Sequence, residues 1–107
     1  MTNCEDAQNR IGVYELIREY RLRSDTLFPD GVCKIRIWRY PADRYFASAN
    51  LYVIHPVEGG FCGFGKSEQD ALDQAIAELF STIASYESRL GRTLQKGDFG
   101  YYDPHEF

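Results

Sequence analysis

Apolar and polar residues alternate along Val32–Tyr40, the pattern of a β-strand whose two sides meet different surroundings. The pattern places Cys33, Ile35 and Ile37 on one side. The opposite side carries Lys34, Arg36, Trp38 and Tyr40. This stretch is the clearest strand in the sequence.

Two further strands are predicted after it. Residues 45–55 (YFASANLYVIH) also alternate, and the small Ala47 and Ala49 on one side leave room for a helix to pack closely. Residues 61–66 (FCGFGK) predict a third strand, although its glycines have no side chain to pack. Because the connections are short, residues 32–66 should form an antiparallel meander.

Two stretches show the 3–4 residue spacing of a helix. In residues 5–23 this stripe runs through Val13, Leu16, Ile17 and Tyr20, which predicts a first helix. Residues 67–90 predict a longer second helix, with Ser67 as its N-terminal cap and Gly91 as its stop. Its apolar stripe consists of Leu72, Ala75, Ile76, Leu79, Phe80 and Ile83.

The predicted fold is therefore α+β: a three-stranded antiparallel sheet with two helices packed on one face, in the order α-β-β-β-α. Its length of 107 residues suits a single domain spanning 1–107. Residues 91–107 have no period but are rich in rings, so we expect an aromatic C-terminal tail docked on the body or on a partner.

Composition narrows the class of protein. An apolar fraction of 44% and a charged fraction of 26% are those of a globular domain. The first ten residues are polar, no apolar run approaches a membrane span, and three scattered cysteines make no disulfide framework, which together favour a cytoplasmic protein. The net charge of −4 disfavours indiscriminate binding of polyanions.

Residues 60–67 (GFCGFGKS) match the letters of a P-loop, G-x-x-x-x-G-K-[ST]. That site needs a parallel sheet and a later strand ending in an acidic metal ligand, and no such strand follows. Three acidic residues in the next helical turn, Glu68, Asp70 and Asp73, would repel a triphosphate. The same letters describe a strand-to-helix corner closed by Ser67, which is the reading we favour.

The helix, three strands and helix, with a Gly-x-Gly-x-Ser entry into the last helix, resemble the double-stranded RNA-binding domain over residues 10–85. In that family a lysine cluster at this entry holds phosphates of the RNA. Of the matching positions 66–70, only Lys66 is basic. The resemblance therefore supports the topology and counts against that mode of RNA binding.

One sheet face combines basic and aromatic side chains, and it is the candidate partner-binding site. Arg, Trp and Tyr anchor protein interfaces, while bases of single-stranded nucleic acid stack on such rings. A third alternative is that the tail covers this face. The candidate residues are Lys34, Arg36, Trp38, Tyr40, Phe46 and Tyr52, with Tyr101 and Tyr102 of the tail.

Catalysis has little support in the sequence. The two histidines, His55 and His105, each stand beside a proline in an expected loop. Cys33 and Cys62 lie on predicted strands and are expected to be small core residues. No paired-ligand spacing indicates a metal, so no cofactor and no catalytic residue is predicted.

The sequence thus predicts a small non-enzymatic protein that binds another protein, as an adaptor or inhibitor. Phage-encoded inhibitors of bacterial defence, including anti-CRISPR proteins, are similar in size and character. A homodimer is a further expectation, since a sheet face or edge invites self-pairing. The alternative is a nucleic-acid-binding module that uses Lys34, Arg36, Trp38 and Arg39. No membrane partner is expected.

Overall fold

The computed structural model describes residues 14–54, 59–104 and 107. Within them lie five strands, one α-helix and one short 3₁₀ helix. The strands are β1 (Glu15–Arg23), β2 (Val32–Tyr40), β3 (Arg44–Val53), β4 (Gly59–Gly65) and β5 (Phe99–Tyr101). The α-helix α1 spans Glu68–Leu90, and the 3₁₀ helix spans Lys96–Asp98.

The strands form one antiparallel sheet in the order β1-β2-β3-β4, with β5 added beside β3. Tyr52 and Val53 pair with β4 on one edge of β3, so β5 occupies the other edge, beyond the part that β2 covers. The loop before β2 therefore lies next to β5. This arrangement brings the C-terminal segment into the sheet.

The predicted helix over residues 5–23 is wrong for the part that the structure describes. Glu15–Arg23 is strand β1, paired antiparallel with β2, while residues 5–13 lie outside the described residues. A β-bulge between Leu16 and Arg18 interrupts the alternation of side chains. Because the bulge shifts the apolar residues out of period two, their spacing imitates that of a helix.

The predicted fold class is corrected accordingly. The described residues hold a five-stranded sheet and a single α-helix, not three strands with two helices in the order α-β-β-β-α. The tail is also more regular than expected, since Lys96–Asp98 form a 3₁₀ turn and Phe99–Tyr101 form β5. The remaining elements agree with the sequence: β2 has the predicted bounds, β3 and β4 differ by one or two residues at each end, and α1 begins one residue later and ends as predicted.

α1 covers one side of the sheet, and the core lies between the sheet and α1. Its fully buried residues include Cys33, Ile35 and Ile37 of β2 and Ala47, Leu51 and Val53 of β3. Ala71, Leu72, Ala75 and Leu79 of α1 pack against them. As the sequence suggested, small residues allow a close approach. A Cβ on Gly63 would collide with the Ala71 carbonyl and lie 2.5 Å from the Ala75 nitrogen.

The stretch with P-loop letters is a strand-to-helix corner. β4 ends at Gly65, and the Ser67 side chain accepts a hydrogen bond from the Asp70 amide at 3.1 Å, capping α1. The helix ends at Gly91, whose φ of 70° is in the left-handed region that glycine adopts without strain. None of the helices in the described part of the chain is long and apolar enough to cross a membrane.

Buried polar contacts brace the C-terminal segment. Asp98 is buried, accepts two hydrogen bonds of 2.8 Å from the Arg92 guanidinium, and caps the 3₁₀ turn through the Gln95 amide. The Tyr101 hydroxyl donates to the Val32 carbonyl at 2.8 Å and accepts from the Asp30 amide at 3.0 Å. β5 is therefore tied to both the helix end and the loop before β2.

Candidate binding groove on the open face of the sheet

The side of the sheet opposite α1 is called the open face, because no helix of the described residues covers it. Alternation along each strand decides which side chains it carries, and directly paired residues point to the same side. They are Leu16, Glu19 and Arg21 of β1, Lys34, Arg36, Trp38 and Tyr40 of β2, Phe46, Ser48, Asn50 and Tyr52 of β3, and Cys62 and Phe64 of β4.

A groove with a volume of about 560 Å³ lies on this face. Its size falls within the range of pockets that hold ligands or the anchoring side chains of a partner. Most of its wall is apolar, and the polar atoms come from a few hydroxyl, thiol and indole groups. The groove is lined by Tyr14, Trp38, Tyr40, Phe46, Ser48, Ala49, Phe61, Cys62, Tyr102 and Phe107.

A row of four rings crosses the sheet beside the groove. The Tyr14 and Tyr40 centroids are 4.6 Å apart, those of Tyr40 and Phe46 6.1 Å, and those of Phe46 and Phe64 4.9 Å. Both ends of the row are open to solvent, because Tyr14 is 55% exposed and Phe64 is 59% exposed. Such a continuous exposed row of rings is unusual for a surface with no binding role.

The floor of the groove is held in place by its own hydrogen bonds. Trp38 donates its indole N–H to the Ser48 hydroxyl at 3.1 Å, which fixes the indole across β2 and β3. Next to it the Tyr52 ring covers Gly100, where an added Cβ would lie 2.7 Å from the ring, and stacks at 4.7 Å on Tyr102. These contacts orient the rings before any partner arrives.

One edge of the open face is basic, and Arg36 is its central residue. The Arg36 Nε donates to Glu19 at 3.1 Å, and its Nη1 donates to the main-chain oxygen of Phe107 at 3.0 Å. The guanidinium carbon also lies 4.1 Å from the centre of the Phe107 ring, a cation–π contact. Lys34 and Arg21 flank it, and Glu19 balances part of this charge.

The structure brings together most of the residues that the sequence singled out. Lys34, Arg36, Trp38, Tyr40, Phe46, Tyr52 and Tyr102 share the open face. Tyr101 does not: it pairs with Leu51 and its hydroxyl anchors the loop before β2. Arg39 also falls on the other side, where it forms an ion pair with Glu15.

The predicted site residues did not include Tyr14, Cys62 and Phe107 of the groove or Phe64 of the row of rings beside it. Phe64 and Cys62 alternate with buried Phe61 and Gly63 on β4, so their place on the open face was readable. Cys62 is exposed, which corrects the prediction that both strand cysteines are core residues. Tyr14 and Phe107 carried no local signal, because their positions depend on pairing with distant segments.

Three pKa shifts reflect these surroundings. Burial on the helix side raises the pKa of the Cys33 thiol to about 12. The Glu68 carboxylate, which accepts a 2.7 Å hydrogen bond from Tyr20, raises the pKa of that phenol. In the groove, burial raises the pKa of Tyr40, and the neighbouring Tyr14 adds to the shift. Each of these groups is therefore neutral at pH 7.

Side chains that could hold a metal ion are scattered over the part of the chain that the structure describes. No cluster of three or more His, Cys, Asp and Glu side chains suited to a metal ion occurs there. Cys33 and Cys62 lie on opposite sides of the sheet and do not share a site, and both histidines lie outside the described residues.

Comparisons with protein families, curated proteins and solved structures found no match.

Proposed function

We propose that the protein binds another protein through the groove on its open face. The observation that carries this proposal is the exposed row of rings beside an apolar groove of about 560 Å³. Aromatic anchors in a preformed concave surface are the usual centre of a protein interface. The proposed role is non-enzymatic, as an adaptor or inhibitor that acts by occupying its partner.

The rigidity of the groove supports this role. Trp38 is fixed by Ser48, and Tyr40 is held between Tyr14 and Phe46. A partner that docks against such rings loses little of the binding free energy to ordering them. The basic edge at Arg36 adds a polar rim that would orient an acidic partner.

The other candidate surface is the acidic start of α1, and it is already engaged. Glu68 accepts the Tyr20 hydrogen bond and lies 3.4 Å from Arg18. Its charge is thus used to join the helix to β1. The open face is the better candidate because its rings are exposed without such an internal role.

A pair of matched variants tests the proposal. Phe64 at 59% exposed stands on the open face, and Phe80 at 66% exposed stands on the outer surface of α1. Tagged wild-type, Phe64→Ala and Phe80→Ala proteins would be used for affinity capture from native lysate, with and without nuclease. Quantitative mass spectrometry then identifies proteins whose recovery falls at least about fivefold with Phe64→Ala, since an aromatic anchor of an interface is worth 1 kcal/mol or more.

We expect such proteins to be recovered equally well by wild type and by Phe80→Ala. Equal recovery by all three proteins would contradict the proposal. If everything that co-purifies disappears with nuclease, the nucleic-acid alternative would replace it. That alternative has less support, because Arg39, one of its predicted residues, lies on the other side of the sheet in an ion pair with Glu15.

A further inference from the structure

The end of the described chain lies against the edge of the groove and behaves like a bound segment. After β5 the Tyr102 amide donates to the Asn50 carbonyl at 2.8 Å, which continues the pairing with β3 by one residue. Phe107 then lies against β2, where Arg36 contacts both its ring and its main-chain oxygen. One residue is thus gripped through its side chain and its backbone together.

We propose that Arg36 marks a recognition subsite for an aromatic residue of an extended, acidic partner segment, and that Phe107 occupies this subsite in cis. The inference rests on the proposed function, since it names the chemistry of the partner that the groove takes. It also adds regulation. The chain's own segment competes with the partner for the same guanidinium.

The geometry of Arg36 carries the chemistry of this subsite. Glu19 holds the guanidinium from one side at 3.1 Å, which leaves its face for a ring and Nη1 for a carbonyl oxygen. The ring centre at 4.1 Å from the guanidinium carbon and the hydrogen-bonded main-chain oxygen at 3.0 Å belong to one residue, so the subsite takes an aromatic residue through its side chain and its backbone. A cationic residue at this point would be repelled by Arg36 and Lys34.

The occupying segment shows which partner sequence fits. Residues 102–107 read YDPHEF, with two acidic side chains before the final ring. The open face near Phe107 carries the basic Arg21, Lys34 and Arg36 and the acidic Glu19. A partner segment with an aromatic residue beside one or two carboxylates therefore matches the charge of this edge. Beyond this basic edge, the part of the groove lined by Trp38 and Phe46 would accept apolar residues of the partner that stand next to its aromatic residue.

A peptide competition measures the subsite directly. The probe is the acetylated, amidated peptide YDPHEF, titrated into the full chain while the fluorescence of Trp38, the single tryptophan, reports on the groove. We expect Phe107→Ala protein to bind the peptide at least about tenfold more tightly than wild type, because its own occupant is gone. The peptide YDPHEA should bind at least about tenfold more weakly than YDPHEF.

Matched charge variants locate the effect. In the Phe107→Ala background, Arg36→Gln should weaken binding of the peptide about tenfold or more, since a charged hydrogen bond and a cation–π contact are lost. Arg39→Gln removes the same charge on the other side of the sheet and should leave the affinity within about twofold. Absence of binding to Phe107→Ala protein, or equal affinity of the two Gln variants, would overturn the proposal.

The capture experiment separates this inference from the proposed function. Phe107→Ala should raise recovery of the partner, whereas Phe64→Ala should lower it. If recovery depends on Phe64 but the peptide fails to bind, the subsite is wrong and protein binding by the groove stands. If the peptide binds through Arg36 and no protein is captured, the subsite stands and the proposed function fails.

Discussion

The two faces of this sheet are formed by the same strands but differ in how far they are buried. On the helix side, Ile35, Ile37 and Leu51 are almost fully buried beneath α1. On the open face, Trp38, Tyr40 and Phe46 alternate with those same residues, yet they line a groove that no helix of the described residues fills. Neighbouring positions along one strand therefore have different surroundings, and in the proposed function they serve stability and recognition in turn.

The kind of apolar residue differs between the faces as well. Aliphatic and small side chains dominate the helix side, where Ala47, Gly63 and Ala75 let the backbones approach closely. Rings dominate the open face, where a large flat surface with few rotamers suits contact with a partner. The comparison predicts that substitutions on the helix side cost stability and that those on the open face cost binding.

The largest effect is expected at the contact between β4 and α1. The side chain introduced by Gly63→Val would overlap the Ala71 carbonyl oxygen and the Ala75 backbone nitrogen. These atoms belong to the backbone of α1, so the clash can be relieved only if the helix moves. We expect loss of cooperative folding, or a fall in the free energy of unfolding of more than about 4 kcal/mol. Urea denaturation followed by circular dichroism measures it.

Gly97→Val is the control, because nothing lies within 4 Å of a Cβ at that position. Its free energy of unfolding should change by less than about 1 kcal/mol. A Gly63→Val protein as stable as Gly97→Val would show that the helix does not sit on β4 as described.

Truncating one large side chain on each face gives the next largest effect. Leu51→Ala removes a fully buried side chain and should lower the free energy of unfolding by about 3 kcal/mol. Phe64→Ala removes a ring that is mostly exposed and should cost less than about 1 kcal/mol. Equal losses in urea denaturation would erase the proposed division between the faces.

At alkaline pH, a smaller effect on the free energy of unfolding comes from Cys33 on the helix side. Burial raises the pKa of Cys33 from 9.0 to about 12, so the folded state favours the neutral thiol. The stabilisation is complete below pH 9 and is lost as the pH rises towards 12. Between pH 9 and 10 the contribution of this thiol to the slope of the free energy of unfolding against pH should approach about −1.4 kcal/mol per pH unit.

Cys33→Ala should remove the thiol's part of this slope, and urea denaturation at several pH values measures both proteins. Tyr20, Tyr40 and Tyr101, whose pKa values are raised from 10.0, add to the slope of both proteins in this window, so the contribution of the thiol is the difference between the two slopes. An identical slope in wild type and Cys33→Ala would contradict the burial of this residue.

The sequence was informative where the pattern is local. The alternation of Val32–Tyr40 predicted β2 with its bounds and both of its faces, and the stripe from Leu72 to Ile83 predicted α1. The six predicted site residues on β2 and β3 share the open face for the same reason, whereas Tyr102 reaches it by stacking on Tyr52. Alternation along a strand is enough to sort its side chains into two groups.

Non-local pairing explains what the sequence did not show. β1 acquires its conformation by pairing with β2, and ion pairs such as Arg36–Glu19 link the two strands. β5 is a three-residue strand fixed by β3 and by the Tyr101 hydroxyl, so it has no period of its own. The position of Phe107 depends on Arg36, 71 residues earlier in the chain.

Protection of Cys62 by a bound partner tests the central claim most directly. Cys62 lines the groove and is exposed, whereas Cys33 is buried and, with a pKa of about 12, holds only about one thiolate in ten thousand at pH 8. In a Cys4→Ser protein, alkylation therefore reports on Cys62 alone. The control protein carries Cys4→Ser, Cys62→Ser and Ser88→Cys, so that its reactive thiol lies on the exposed surface of α1.

The measurement is the rate of alkylation by iodoacetamide of each protein, alone and with its captured partner. We predict that the partner slows alkylation of Cys62 at least about tenfold, as expected for a thiol sealed in an interface, and leaves the rate at residue 88 unchanged. Protection of residue 88 with no change at Cys62 would place the partner on α1 and contradict the account.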